Sequence, residues 1–299
     1  RSHGGGRVNA LFWWEPTPGV RLGPTLGTDD VQAAFGATSA SFLGRGAFGE
    51  TWRIVDPDGA VRAVKVVLDE NYPEAYLKRE VGGLRRVDDP RVVALQDVLT
   101  VGLPMGSRPV LAFEFVDGGD VAGRIESQSW PTFEDTQAFL RELLGAVTEL
   151  HAVETVHRDI KPENVALRGA SWAAPVLLDL GLAKLLNAES FTQYPALMGT
   201  LPFMAPEQVQ QQEARKAADV WAVGVVAHIL LAREHPVFDD RGRAVLADEA
   251  LERMRKGPRP LPDGVPEATA AVVRRLLSFE PHERGSAARA YRDLGGGTR

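Results

Sequence analysis

Cysteine is absent from the 299 residues, which excludes disulfides, thiolate metal sites and a cysteine nucleophile, and which suits a reducing compartment. Also missing is any apolar run long enough for a bilayer. Val220 to Leu231 is broken by polar residues well before the roughly 20 that a spanning helix needs. Arg1 to Gly6 has no hydrophobic stretch after its basic start, so it reads as an expression remnant or flexible tail and not as a signal peptide. A cytoplasmic location is the expectation. Basic excess is lacking too: 34 Lys and Arg stand against 40 Asp and Glu, for a formal charge of -6. Nucleic acid is therefore not expected as a partner, because its backbone calls for a basic face to replace counterions.

What is present is ordinary for a folded globular chain, with 44% hydrophobic and 25% charged residues. The length suits two lobes around a cleft better than one compact core. Residues from Val8 to about Thr38 carry Trp13, Trp14 and several Pro and Gly residues, and read as an irregular extension docked on its own domain or on a partner. From Ala40 to Leu68 short apolar runs are split by Gly49 and by the turn Asp56-Pro57-Asp58-Gly59, which predicts antiparallel strands. Pro73 to Val87 has helical spacing at Tyr76, Leu77, Val81 and Leu84, softened by Gly82 and Gly83. Strands follow at Val92 to Val101 and Pro109 to Val116, and Gly118-Gly119 marks a linker. Thr132 to Asp135 resembles a capping box, opening an apolar stripe through Phe139, Leu140, Leu143, Leu144, Val147 and Leu150. Further helices are expected at Ala217 to Leu231, Ala247 to Lys256, Ala268 to Leu277 and Ala287 to Leu294.

Several local patterns bear on phosphate chemistry. Leu43-Gly44-Arg45-Gly46-Ala47-Phe48-Gly49 holds the spacing G-x-G-x-x-G, in which glycines let backbone N–H groups approach phosphate oxygens. Alone it is a weak signal, but a dinucleotide fold would follow it with a helix, and here a strand, Thr51 to Val55, follows. Ala63-Val64-Lys65 lies in the next strand and Glu80 in the next helix. A strand lysine can clamp phosphates when a carboxylate holds its flexible stem; taken singly, either charge would be a solvated surface group. His157-Arg158-Asp159-Ile160-Lys161-Pro162-Glu163-Asn164 then offers an aspartate able to orient the proton of an attacking hydroxyl and an asparagine able to bind a metal ion. Asp179-Leu180-Gly181 adds a carboxylate after the strand Val176 to Leu178. Two oxygen ligands on neighbouring strands suit Mg²⁺.

In this order the motifs resemble the eukaryotic-type protein serine/threonine kinase catalytic domain, over roughly Ala40 to Leu294. The resemblance implies an α+β bilobal fold: an extension over 1–38, a small antiparallel lobe with one helix over 39–116, a hinge at 117–120, a larger helical lobe over 121–294 and a tail at 295–299. It implies transfer of the ATP γ-phosphate to serine or threonine hydroxyls of proteins, the chain itself among them, with Mg²⁺, or Mn²⁺ in its place. By the same resemblance Lys65 pairs with Glu80 and holds the α- and β-phosphates, Asp159 is the catalytic base, Lys161 touches the γ-phosphate, and Asn164 and Asp179 hold the metal. Leu43, Gly44, Gly46, Gly49, Thr51, Ala63, Phe113, Glu114, Val116 and Ala166 are the implied nucleotide contacts.

Met198 to Glu207 resembles the end of an activation segment with its peptide-facing loop, an element that small-molecule kinases usually lack. Lys161 after Asp159, and Thr200 after Gly199, match the serine/threonine branch. Glu207 is expected to pair with Arg284, and Asp219 to steady the catalytic loop. Arg158 resembles the arginine of kinases switched by an activation-segment phosphate, for which Ser190, Thr192 and Tyr194 are the candidate acceptors, Thr192 first. Asp120 and Glu163 suggest a preference for a basic residue before the phosphosite. Thr51 stands where valine is usual and Ala166 where leucine is usual, which thins the apolar sandwich around the base, at about 1 kcal/mol per lost methylene pair at most. The rival reading is a catalytically silent kinase-like scaffold, but no phosphate- or metal-handling position is lost.

Overall fold

The structure, a computed structural model, describes residues 23–46, 48–70, 72–179, 201–238 and 247–297, apart from the side chains of Tyr76, Arg79, Glu80 and Leu201. Trp13, Trp14, Ala47, Leu180, Gly181, Ser190, Thr192, Tyr194 and Met198 to Thr200, for which roles were expected, lie outside the described residues.

The amino-terminal lobe is a five-stranded antiparallel sheet in the order β1-β2-β3-β5-β4, built from β1 (Ser39–Gly46), β2 (Gly49–Val55), β3 (Val61–Val67), β4 (Leu95–Leu103) and β5 (Gly106–Glu114). The turn Asp56 to Ala60 closes β2 onto β3 as predicted, with Asp56 N donating to Ala60 O at 2.8 Å and Gly59 in the left-handed region at φ 87°. Strand alternation sorts the side chains into two cores. Trp52, Ile54, Val64, Val66, Val110 and Ala112 point to one face. Leu111 and Phe113 point to the other and join the core shared with the second lobe.

The structure corrects the reading of residues 8 to 38 as irregular throughout. Helix α1 (Thr28–Phe35) carries Asp29 and Asp30 in its first turn, where they complement the helix dipole, and ends on Gly36 in the left-handed conformation. It packs against β1 and β4, the two edge strands, so it closes the seam of the curled sheet and covers edges that would otherwise be open to pairing. Its Val31 and the preceding Leu26 are buried. Helix α2 (Glu74–Leu84) follows β3.

The second lobe is helical: α3 (Val121–Glu126), α4 (Phe133–Ala152), α5 (Pro206–Val209), α6 (Lys216–Ala232), α7 (Ala247–Arg255), α8 (Glu267–Leu276) and α9 (Ala287–Asp293), with a two-stranded ribbon of β6 (Val165–Leu167) and β7 (Pro175–Leu177). The capping box read from Thr132 and Asp135 is present in full. Helix α6 is buried on nearly every side, which suits a central helix rather than a surface one, and α4 packs on it and on α9. Helices α3 and α5 escaped the sequence reading because four to six residues leave little periodicity to detect. Among the described residues no helix is long and apolar enough to cross a membrane.

Candidate active site

Backbone ties around β7 and the hinge hold the lobes in register. Leu177 N donates to Arg91 O at 2.8 Å, and Val93 N to Leu177 O at 3.0 Å, so the loop after α2 is stitched to the ribbon of the second lobe. At the hinge, Leu167 N donates to Gly119 O at 2.9 Å. A Cβ on Gly118 would sit 1.8 Å from Leu167 O, so only glycine allows this approach. The Glu114 carboxylate is committed to Ala94 N at 3.0 Å and Arg168 Nη1 at 2.9 Å. Only its backbone is therefore left to face a ligand.

Asp219, nearly fully buried at the start of α6, shapes the loop that precedes β6. Its Oδ1 accepts from Arg158 N at 2.7 Å, and its Oδ2 from His157 N at 2.8 Å, with His151 Nε2 at 2.9 Å. These bonds hold Arg158 in the left-handed region at φ 68°, a strained state for a non-glycine residue that persists only where the surroundings impose it. His157 Nε2 donates to Leu178 O at 2.7 Å while its Nδ1 accepts from Asp159 N at 3.3 Å. Burial pushes its pKa down, so the ring is neutral and links the loop to the end of β7.

The reactive-type side chains gather where these elements meet. Asn164 Nδ2 donates to Asp159 O at 2.8 Å and to Asp159 Oδ2 at 2.9 Å, and Lys161 Nζ lies 3.2 Å from the same carboxylate. Burial works against the Lys161 ammonium, but the charges of Asp159, Glu163 and Asp179 outweigh it and its pKa is raised. Lysine therefore stays cationic beside the aspartate. With its amide nitrogen so engaged, Asn164 has its oxygen end available to a cation. Leu178 N donates to Asn164 O at 2.9 Å, which brings residue 164 beside Asp179. Asp179 has φ 37°, and its Oδ1 accepts from Lys65 Nζ at 2.8 Å. That pairing was missed by sequence reasoning, which matched Lys65 with Glu80, whose side chain lies outside the described groups. The two partners are 114 positions apart, and no local pattern could have joined them.

Lys65 and Thr51 are cross-strand partners on β3 and β2 and share the face toward the cleft. Ala63 pairs with Phe113 on the neighbouring strand. Ala166 on β6 forms a bridge with Asp120 across the hinge, and Leu43 is exposed at 48% on the roof strand. Gly49 pairs with Gly46 in the turn between β1 and β2. Thus the glycine turn, the strand lysine and the loop aspartate surround one cleft between the lobes.

A sequence profile described as "Protein kinase domain" matches residues 38–293. This chain belongs to the protein kinase domain family. Its relatives are serine/threonine protein kinases. It is 31% identical over 271 residues to calcium/calmodulin-dependent protein kinase type 1B of Homo sapiens, covering 89% of this chain and 76% of that protein. It is 27% identical over 271 residues to serine/threonine-protein kinase AtPK1/AtPK6 of Arabidopsis thaliana, covering 89% of this chain and 54% of the relative. Among solved structures, Rad53 1-466 in complex with AMP-PNP aligns with a TM-score of 0.66 at 22% identity, over 84% of this chain and 62% of that chain. That likeness concerns the fold: both have the bilobal kinase architecture.

The start of α5 is anchored by Glu207 and Arg284, a buried pair with oxygens and nitrogens 2.7 and 2.8 Å apart. His235 adds a second anchor that no sequence pattern marked. It is buried, its Nε2 donates to Pro202 O at 2.8 Å, and its Nδ1 accepts from Val237 N and Phe238 N at 3.0 Å each.

Proposed function

We propose that this kinase domain carries the γ-phosphate of ATP to serine and threonine hydroxyls of proteins in the cleft just described. The observation that carries the proposal is the convergence of Lys65, Asp159, Lys161, Asn164 and Asp179, linked by contacts of 2.8 to 3.2 Å. Asp159 orients the substrate hydroxyl and accepts its proton. Lys161, held cationic, steadies charge on the transferring phosphoryl oxygens, and Lys65 does the same at the α- and β-phosphates. Each ammonium group lies against a carboxylate, Lys65 on Asp179 and Lys161 on Asp159.

Asn164 and Asp179 fit a hard cation. Both offer oxygen and they sit on adjacent chain segments; phosphate oxygens and water would complete the shell, as Mg²⁺ prefers. Mg²⁺ bound there would neutralise the phosphates and hold them in line, and Mn²⁺ could replace it. Leu43, Gly44, Gly46, Gly49, Thr51, Ala63, Phe113, Val116, Ala166 and the backbone of Glu114 line the nucleotide side. The AMP-PNP bound to the Rad53 kinase supports a nucleotide in this cleft.

Regulation through residues 179–207, with Arg158 receiving a phosphate, belongs to the same proposal, as do autophosphorylation, a preference for basic residues opposite Asp120 and Glu163, and a cytoplasmic location. Transfer of label from ATP to a generic basic protein and to the chain itself tests the activity. Asp159→Asn should lower the rate about 10² to 10⁴-fold, with the melting temperature nearly unchanged. Equal transfer by both proteins would place the chemistry elsewhere.

A further inference from the structure

Glu50 directly follows Gly49, the last glycine of the turn, and it is fully buried. Alternation along β2 places it with Trp52 and Ile54 on the face turned away from the cleft. A carboxylate so placed needs donors to offset its lost hydration. It accepts from Thr25 N at 2.5 Å, Leu26 N at 3.3 Å and the Trp52 indole Nε1 at 3.3 Å. Two of the three donors thus belong to the segment that leads into α1.

The same segment returns to β2 at its other end. Thr38 donates to Val55 O twice, through its N at 2.8 Å and its Oγ1 at 3.0 Å, and Gln32 Nε2 braces Thr38 O at 3.0 Å. Leu26 at the first tie and Val31 between the ties are buried in the core under β2, β3 and β5. Residues 25–38 therefore form a strap tied to β2 at both of its ends, at the residue behind the glycine turn and at the end of the strand, while α1 between the ties packs on β1 and β4. On the other side of β2 there is no slack, because a Cβ on Gly49 would come within 1.9 Å of Val66 O. Phe48 O also accepts from Leu68 N at 2.8 Å. A shift of β2 at positions 49 and 50 is passed on to the backbone of the turn.

We propose that Glu50 is a positioning residue for the phosphate-binding turn: through the strap it fixes where β2 lies at Gly49, and with it the backbone N–H groups of Gly44, Gly46, Phe48 and Gly49. Glu50 faces away from the nucleotide and acts only through this framework. Residues 25–37, which precede the stretch matched by the family, then belong to the nucleotide-binding unit. The proposal rests on the reading that the cleft binds ATP.

The test compares the full chain with Glu50→Gln, which turns amide hydrogens toward N–H donors, and with Leu26→Ala, which loosens the strap and leaves the carboxylate in place. Initial rates with a basic protein substrate give KM for ATP and kcat, and amide hydrogen exchange is followed in peptides covering 24–37, 42–50 and α6. Glu50→Gln should raise KM for ATP about fivefold while kcat stays within about twofold. Exchange should quicken in 24–37 and 42–50 together and stay unchanged in α6, and Leu26→Ala should move the same readouts less. Unchanged KM in both variants, or faster exchange confined to 24–37, would overturn the proposal. Should Glu50→Gln fail to fold, Leu26→Ala decides by the same readouts. Should the wild-type chain transfer no phosphate, the activity reading fails, and exchange in 42–50 still judges the coupling by whether it follows the strap.

Discussion

Five N–H groups of Arg284 meet five oxygens: Nε meets Ser278 O, Nη1 meets Glu207 Oε1 and Ala217 O, and Nη2 meets Glu207 Oε2 and Phe279 O, all between 2.7 and 3.0 Å. The guanidinium also lies over the Trp221 ring, 5.0 Å from its centroid. Being fully buried, it can be neither rehydrated nor moved when a partner is lost. Arg284→Ala should cost about 3–5 kcal/mol, because it leaves Glu207 charged and without its partner in the interior. Arg284→Lys should recover only part of that, since an ammonium brings three donors to five acceptors. Urea unfolding of the three proteins checks both. The charge types and spacing of Glu207 and Arg284 were readable as motifs. The count of acceptors was not, because three of them are backbone carbonyls from two other segments.

Glycine separates two elements that look alike in sequence. In α2, a Cβ on Gly82 would meet nothing within 4 Å, so Gly82→Ala should stabilise the helix by about 0.5–1 kcal/mol through reduced backbone entropy. At the hinge, Gly118→Ala drives a Cβ into Leu167 O and the Ala170 backbone. It should cost about 1–3 kcal/mol and raise KM for ATP, as the hinge and β6 are forced apart. Thermal melting with ATP titration distinguishes the two variants. Both positions sit in Gly-Gly pairs, and only the packing around them decides the opposite signs. Helix α1 makes the same point. Its acidic first turn and the glycine after it suit a helix start and stop, but eight residues with a single fully buried side chain, Val31, are too short to hold as a helix without the sheet beneath.

At the scale of the whole molecule, His235 couples stability to pH. Burial depresses its pKa to about 3, against about 6.5 for an unfolded histidine. The unfolded chain therefore binds the proton first. The stabilisation is complete above about pH 6.5 and is lost as pH falls from there toward 3, at up to about 1.4 kcal/mol per pH unit. Protonation would also break the two bonds that Nδ1 accepts from Val237 and Phe238, and so loosen the tie to Pro202. Urea midpoints between pH 7.5 and 5.5 should fall with acidity. His235→Gln should be less stable at pH 7.5 and show a shallower slope; an equal slope would assign the pH dependence to other groups.

Short-range pattern determined much of this protein. The glycine spacing, the strand lysine, the loop that carries Asp159 and Asn164, and the apolar stripe of α4 each lie within a few consecutive turns or strands, where periodicity and side-chain chemistry are local properties. Tertiary structure alone decided that Lys65 meets Asp179, that Glu50 is buried under the segment at 25 and 26, and that His235 is neutral with a single tautomer. In each case the outcome depends on what covers a polar group and which distant N–H or carbonyl answers it. Desolvation and long-range pairing are set by the completed packing and are not encoded at any one position.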